Sequence, residues 1–348
     1  MSSSSSPDAA LLSESVTFPI SGHVSPNRLL KAPMEELMAS TSTSTTSSKA
    51  NKQRGKHAPL PNADPLRLYK QWARSGWGVV VTGNVAVDPR HLGTPFDNAF
   101  PQLLPSARAA IEDAVQSKKS LSDASKSGAK LYEQQDAVLS TFQEYARAVR
   151  GEGESTTNSR QGAPLAIVQL VHAGRQSMRG AGRSPFASPW APSNVPMRPS
   201  SSPHASGSRT GLGSLAGRAL DWFMWGVPHA MTLDEIKEMK AQFLAGALVC
   251  KWAGFDGIEL HASHGYMLAA FLSPKTNTRT DGYGGDAKGR ARLLLELATE
   301  IRQLAGKDFS IGVKVSECFV AACLGRIQLT PSITAQLCRL RRRWSYRR

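Results

Sequence analysis

Two histidines and a tyrosine, His261-x-x-His264-x-Tyr266, follow directly on the apolar run Phe255-Asp-Gly-Ile-Glu-Leu260. Two imidazoles three residues apart at the mouth of a strand could aim donors at one oxygen of a bound molecule; the competing reading is a pair of ordinary hydrogen-bonded loop histidines. No third His or Cys sits at ligand spacing from them, so no metal centre is expected. A phenol beside an oxyanion-binding pair can act as a proton donor, and Tyr266 is the candidate, against a tyrosine merely packed at a strand end. Gln169 is a lone amide near the end of another apolar stretch. An amide of that kind can pair with a planar imide edge, donor to acceptor and acceptor to donor. Lys314 closes a third stretch, where a buried cation needs an anion, and a ligand is one source of it. For Gln169 and Lys314 the alternative is a side chain snorkelled or water-bonded at a rim, and only convergence in one pocket separates the readings. Glu259 shares a strand face with His261, which by itself does not make a site.

These residues need elements that bring them together. Gly254 breaks a helix, and Phe255 to Leu260 then reads as a buried strand. Comparable strands are Trp77-Gly-Val-Val-Val-Thr-Gly83-Asn84, Pro164-Leu-Ala-Ile-Val-Gln-Leu-Val-His172 and Phe309-Ser-Ile-Gly-Val-Lys314-Val, with a shorter one in Asn27 to Met34 that ends at Pro33. Helical spacing marks Asp64 to Ser75, Ala137 to Val149 and Asp286 to Leu304. A capping box, Thr232-x-x-Glu235, opens a further helix with Ile236, Met239, Phe243, Ala247 and Cys250 on one face. Val16 to Ile20 reads as a short strand or lid, and residues 101–135 as mixed. Apolar strands separated by helices mean a parallel sheet with helices outside it. No Gly-x-Gly-x-x-Gly follows a strand, so a doubly wound dinucleotide domain is not indicated. The expected class is α/β, a (β/α)8 TIM barrel of which about five strands are present. In such a barrel the C-terminal strand ends carry the chemistry.

The chain has 348 residues, 41% of them apolar, enough for a sizeable core. No apolar run is long enough to cross a membrane as a helix, and the Ser-rich N-terminus lacks a secretory pattern, so a cytoplasmic protein is expected. Cys250, Cys318, Cys323 and Cys338 show no Cys-x-x-Cys spacing and fit a reducing compartment. The formal charge is +15, but six arginines fall in the last ten residues and no nucleic-acid-binding module surrounds the rest. The expected partner is a small-molecule substrate; no nucleic acid and no membrane is expected, and a homo-oligomer is compatible with the sequence. The organisation expected is a disordered stretch over 1–15, a barrel over 16–316 with insertions near 117–129 and 184–214, and a divergent basic tail over 317–348.

Several segments together resemble the Old Yellow Enzyme family of NADH:flavin oxidoreductases. They are Asn27-Arg28, Ala32-Pro33-Met34, Gly78 to Val85, Gln169-Leu-Val-His-Ala-Gly-Arg175-Gln176, Gly254 to Tyr266, Phe271 to Gly285, and Ile311-Gly-Val-Lys314-Val. The resemblance implies FMN on the barrel and NAD(P)H as reductant. Backbone groups at Pro33, Met34 and Gly83 would meet the flavin ring, Gln169 its pyrimidine edge, and Lys314 the N1 and C2-oxygen side. His261 and His264 would hold a substrate oxygen. Hydride would pass from the flavin to an activated alkene, and Tyr266 would protonate the neighbouring carbon, as in an ene-reductase. Two departures stand out. Glu35 follows Met34 where the family usually places a small hydroxyl or thiol, and there it would disfavour an anionic reduced flavin. The family pattern also degrades after Val315-Ser316, so strands six to eight are not legible, and a C-terminally truncated, inactive remnant with weak or no flavin binding is the other reading.

Overall fold

The computed structural model describes residues 7–39, 59–122, 130–152, 162–184, 186–197 and 223–316. The chain enters through a short helix, α1 (Pro7–Leu12), within the stretch read from sequence as disordered. A two-strand hairpin follows, β1 (Val16–Thr17) antiparallel to β2 (Val24–Ser25). Strand β3 (Leu30–Lys31) is the only strand within Asn27 to Met34. Helix α2 (Ala63–Ala73) starts where Asn62 accepts from the Asp64 N–H at 2.9 Å, and it leads into β4 (Val79–Ala86). After the two-residue β5 (Asn98–Ala99) come two helices, α3 (Pro105–Gln116) and α4 (Gln135–Arg150). The sequence pattern left α3 unmarked: it carries Pro at its first turn and buries mostly small residues, Ala107 and Ala114 beside Ile111.

Strand β6 (Leu165–Val171) is buried at every position. Two short strands, β7 (Trp190–Ala191) and β8 (His229–Ala230), pair in parallel beyond it and were not foreseen. Helix α5 (Leu233–Trp252) opens on the expected capping box. The Glu235 N–H donates to Thr232 Oγ1 at 3.2 Å, and the Thr232 N–H donates to Glu235 Oε2 at 2.7 Å. The chain then forms β9 (Gly257–Ala262), a short helix α6 (Met267–Leu272), the long helix α7 (Ala287–Ala305) capped by Asp286, and β10 (Ser310–Val315). Of the segments expected from sequence, residues 1–6, 123–129, 198–214 and 317–348 lie outside the described residues.

The main sheet runs β10-β9-β6-β4-β3, all parallel, with β5 added to the end of β4. The five expected strands are the five in this path. One face is apolar throughout: Val80, Val85, Ala166, Val168, Leu170, Ile258 and Leu260 pack into the main core with helix residues such as Tyr145, Met239, Phe243 and Leu297. This is the outer, helix-covered face of a curled sheet, a partial barrel.

The inner face is layered by register. Val81, Ile167, Gly257 and Ser310 form one row; Asn84, Gln169, Glu259 and Gly312 form the next. Beyond them Ala86 pairs with Val171, and His261 with Lys314. Below lies a small apolar cluster of Val79, Val81, Leu165 and Ile167, so polarity rises toward the C-terminal strand ends. A bulge sets this row. Between Val81 and Asn84, β4 holds two residues where β6 holds one. Thr82 Oγ1 accepts from the Gln169 N–H at 3.2 Å, which satisfies a donor at the broken ladder, and the Gly83 N–H donates to Tyr69 Oη at 2.6 Å. If β4 ran on from Val81 in regular alternation, Asn84, three residues along, would face the helices; the bulge returns it to the interior.

Candidate active site

Strand β9 delivers His261 to the inner face, buried, and the chain turns sharply after Ser263. The Tyr266 N–H donates to Ser263 O at 3.2 Å across His264 and Gly265, which have φ of +56° and +77°. The left-handed conformation is inexpensive for Gly265 and strained for His264. Gln176, from the loop after β6, braces the turn: its Nε2 donates to His264 O at 2.6 Å. The turn gathers three rings. His261 and His264 lie 5.0 Å apart between centroids and His261 and Tyr266 4.9 Å, both edge to face. His264 is exposed, and its ring stands over the buried one.

Burial, with Lys314 and His264 adding positive charge nearby, pushes the His261 imidazole down to about 3, so it is neutral at ordinary pH. The Ser263 N–H approaches His261 Nδ1 at 3.4 Å, which places the ring proton on Nε2. Lys314 stands beside His261 in register and makes no ion pair within 4.0 Å among the described residues. One row down, Gln169 Nε2 donates to Glu259 Oε1 at 2.6 Å, so the amide meets a side-chain acceptor that sequence reasoning had set aside. Burial raises the Glu259 carboxyl above its usual range, with Gln169 and Lys314 opposing the shift.

The segment after β3 closes one wall. Met34 exposes its side chain, with Pro33 half-buried. The Met34 carbonyl instead packs against Gly83, where a Cβ would collide with it and with the Glu36 carboxylate. Glu36 accepts from Tyr69 Oη and faces Lys31 Nζ at 3.6 Å. Lys31 is buried, stacks over Trp72 at 3.8 Å, and is pushed down to about 8 by burial against the pull of Glu36. Glu35 turns inward. Its Oε1 accepts from Tyr266 Oη and from Asn84 Nδ2, the latter at 2.5 Å. All eight residues singled out from sequence (Pro33, Met34, Gly83, Gln169, His261, His264, Tyr266 and Lys314) thus lie at the inner face or its rim.

Residues 156–322 match the model of the NADH:flavin oxidoreductase / NADH oxidase family. The chain is 32% identical, over 84% of its length, to the NADH-dependent flavin oxidoreductase iliE of Neonectria sp. (strain DH2), and 35% identical, over 71%, to iccE of Talaromyces variabilis. The likeness of this chain to the NADH:flavin oxidoreductase / NADH oxidase family rests on these matches. The chain spans 29% and 48% of those two relatives' own lengths. Among solved structures it resembles the old yellow enzyme from Trypanosoma cruzi, with a TM-score of 0.58 at 20% identity over 88% of this chain and 65% of that one. The old yellow enzyme homologue from Zymomonas mobilis gives 0.56 at 20% identity, over 87% and 62%. These likenesses establish the partial TIM-barrel fold. Of the eight residues, Gln169, His261, His264, Tyr266 and Lys314 fall in the family match, and Pro33, Met34 and Gly83 lie before it.

The residues present fit the flavin that gives the family its name. The inner face offers an amide, a carboxyl, an imidazole and an ammonium without an ion pair among the described residues, over two adjacent rows, and Gly83 lets the Met34 segment close against β4. A flat heteroaromatic with an imide edge needs that mixture of donors, acceptors and positive charge.

One cluster in this chain has no counterpart in the sequence pattern. Asp88, His91 and His172 are buried, and each brings a ligand atom within 4.8 Å of the others. Asp88 accepts from His91 Nδ1 at 3.1 Å and from Arg90 Nε and Nη2 at 3.0 and 2.7 Å, and against its burial these hydrogen bonds and the guanidinium charge hold its carboxyl far below the usual range. The Gly174 N–H donates to His172 Nδ1 at 3.0 Å. His91 therefore keeps a free acceptor at Nε2 and His172 a free donor at Nε2, and both atoms are buried without a protein partner. The rings stack at 4.7 Å. The guanidinium already supplies the positive charge that Asp88 needs, and one buried water would join the two Nε2 atoms. We assign the cluster as a neutral strut under the loop that carries Gln176.

Among the described residues, no helix is long and apolar enough to cross a membrane.

Proposed function

We propose that the chain binds FMN against the inner face of its sheet and uses it to pass reducing equivalents from NAD(P)H to an activated alkene. The observation that carries the reading is Lys314. It is a half-buried ammonium without an ion pair among the described residues, beside neutral His261 and one row above Gln169 and Glu259. A cation so placed favours a bound group that gains negative charge, as a flavin does along N1 and the C2 oxygen on reduction. When bound, the flavin supplies the hydride transfer. This chain's residues do the rest. Gln169 offers its amide to the imide edge, with Glu259 fixing its orientation. Pro33, Met34 and Gly83 form the wall against which a planar ring would lie. His261 Nε2–H and the His264 ring converge on one position, where they would hold a carbonyl or nitro oxygen and polarise the adjacent double bond. Tyr266 Oη, beside that position, would deliver a proton to carbon.

The test is optical. The full chain, purified and incubated with FMN, is expected to retain a flavin absorbance that NADH or NADPH bleaches without oxygen. Lys314→Met should weaken retention by about tenfold or more, the order of one lost charge-assisted contact. A colourless protein that takes up no FMN would overturn the reading and leave a non-catalytic remnant of the family.

A further inference from the structure

We propose that Glu35 is the group through which Tyr266 recovers its proton from solvent, so that the two side chains form a relay. The inference rests on the flavoenzyme reading above, and it concerns a step to which no residue has been assigned.

Among the described residues, four groups face the Tyr266 hydroxyl. Glu35, from the segment after β3, accepts the phenolic proton in a hydrogen bond. Asn84, from β4, donates to the same Glu35 oxygen at 2.5 Å. Asp97, from the loop after β4, adds negative charge nearby, and the His261 ring packs edge-on against the phenol. Only Glu35 can exchange protons with water. Asp97 is buried; its Oδ2 accepts from the N–H groups of Gly93 and Thr94 at 2.8 and 3.0 Å, and its Oδ1 from Thr94 Oγ1 at 2.7 Å. Asn84 does not titrate, and His261 is buried and neutral. Glu35 belongs to an exposed residue whose carboxylate reaches inward to the phenol. It therefore touches both solvent and the proton donor.

The step balances. The Tyr266 O–H bond breaks as a C–H bond forms at the substrate carbon, leaving a phenolate against the Glu35 carboxylate. Two anions in hydrogen-bond contact cannot both stay ionised cheaply, so the pair takes up one proton. It arrives at the carboxylate from water, and transfer along the existing hydrogen bond restores Tyr266 O–H and the Glu35 carboxylate. No electron moves, and the net change is one solvent proton delivered to carbon. Before the step, burial and the same carboxylate hold the phenol well above its ordinary range, so the proton is stored rather than lost.

The experiment uses the full chain and Glu35→Gln, with Glu35→Asp as the conservative variant. Ultraviolet titration of tyrosinate reads the contact without any cofactor. In Glu35→Gln one tyrosine should ionise at least one pH unit lower than in the wild type, and this step should disappear in Glu35→Gln with Tyr266→Phe. With FMN bound, reoxidation by cyclohex-2-enone should slow by about tenfold or more, within the range of general acid catalysis, and its pH profile should change. Reduction by NADH should be affected far less, and Glu35→Asp should recover most of the rate. A Glu35→Gln protein with wild-type alkene turnover and pH profile would sink the relay while leaving the flavoenzyme reading intact. Failure of every variant and of the wild type to bind FMN would sink that reading and the relay with it. An unshifted tyrosine titration would show that the Glu35–Tyr266 contact is absent in solution, and the relay falls on that result as well.

Discussion

Asn84 reaches the interior because β4 carries one extra residue at Thr82-Gly83, and Gly83 is where that arrangement tolerates least change. Its missing Cβ leaves room for the Met34 carbonyl and the Glu36 carboxylate, and its N–H is held by Tyr69. Gly83→Ala should push away the segment that carries Pro33, Met34 and Glu35. The expected cost is about 1–3 kcal/mol, as for overpacking a well-filled core. The midpoint of urea unfolding reads it, and an unchanged midpoint would mean that the wall moves freely. At this scale the sequence was informative where chemistry interrupts an apolar pattern. His261, Gln169 and Lys314 each fall at or near the end of a hydrophobic run, and a polar side chain in that position invites the right question. Glu35 stands out in the sequence as a departure from a family pattern, with an effect on the flavin expected; its hydrogen bonds to Tyr266 and Asn84 come from the structure. That pairing spans more than 200 residues of sequence, and no local pattern encodes it. The same holds for Asp88, His91 and His172, which reach one another only because β4 and β6 are neighbours in the sheet.

The decisive element is the turn between β9 and α6. It packs three rings edge to face while holding His264 in a left-handed conformation, and Gln176 reaches across from the β6 loop to fasten it. Strain at a functional turn persists only when its surroundings enforce it. Gln176→Ala should cost about 1 kcal/mol, the net worth of one hydrogen bond. Adding His264→Gly should return a similar amount, because glycine adopts the left-handed region without the penalty, roughly 1 kcal/mol, that a side chain incurs there. Chemical denaturation of the single and double variants checks both signs; a neutral Gln176→Ala, or a double variant no more stable than the single, would refute the brace. The strand itself was legible because a largely apolar run, with Phe255, Ile258 and Leu260 buried, follows a helix-breaking glycine. The brace was not, since the loop containing Gln176 has no periodicity to read. Helix α3 was missed for a related reason: small residues bury a helix face without the spacing of large apolar ones.

For the molecule as a whole, the buried neutral histidines couple stability to acid. Burial holds His91, His172 and His261 below the ordinary imidazole range. As pH falls below about 6.5, the unfolded chain binds protons at these positions that the folded chain refuses, so stability falls with pH. Glu36, Asp97 and Glu259 act oppositely. Burial raises their carboxyls, the folded state holds their protons more tightly, and they lose stability as pH rises from about 4.5 through their folded values. The wild-type acid profile is therefore a competition, and a difference between two proteins isolates one side of it. His172→Asn keeps an acceptor for the Gly174 N–H and removes the titration. It should be less stable than the wild type near pH 7.5, where the strut with His91 and Asp88 is intact. The gap should narrow as pH falls through about 6.5, by at most about 1.4 kcal/mol per pH unit for one proton, because only the wild type must then refuse one. Urea unfolding of both proteins at pH 7.5, 6.5 and 5.5 measures the gap. A constant difference across that range would mean that His172 is not held neutral, and the hydrogen-bonded strut beneath the Gln176 loop would lose its basis.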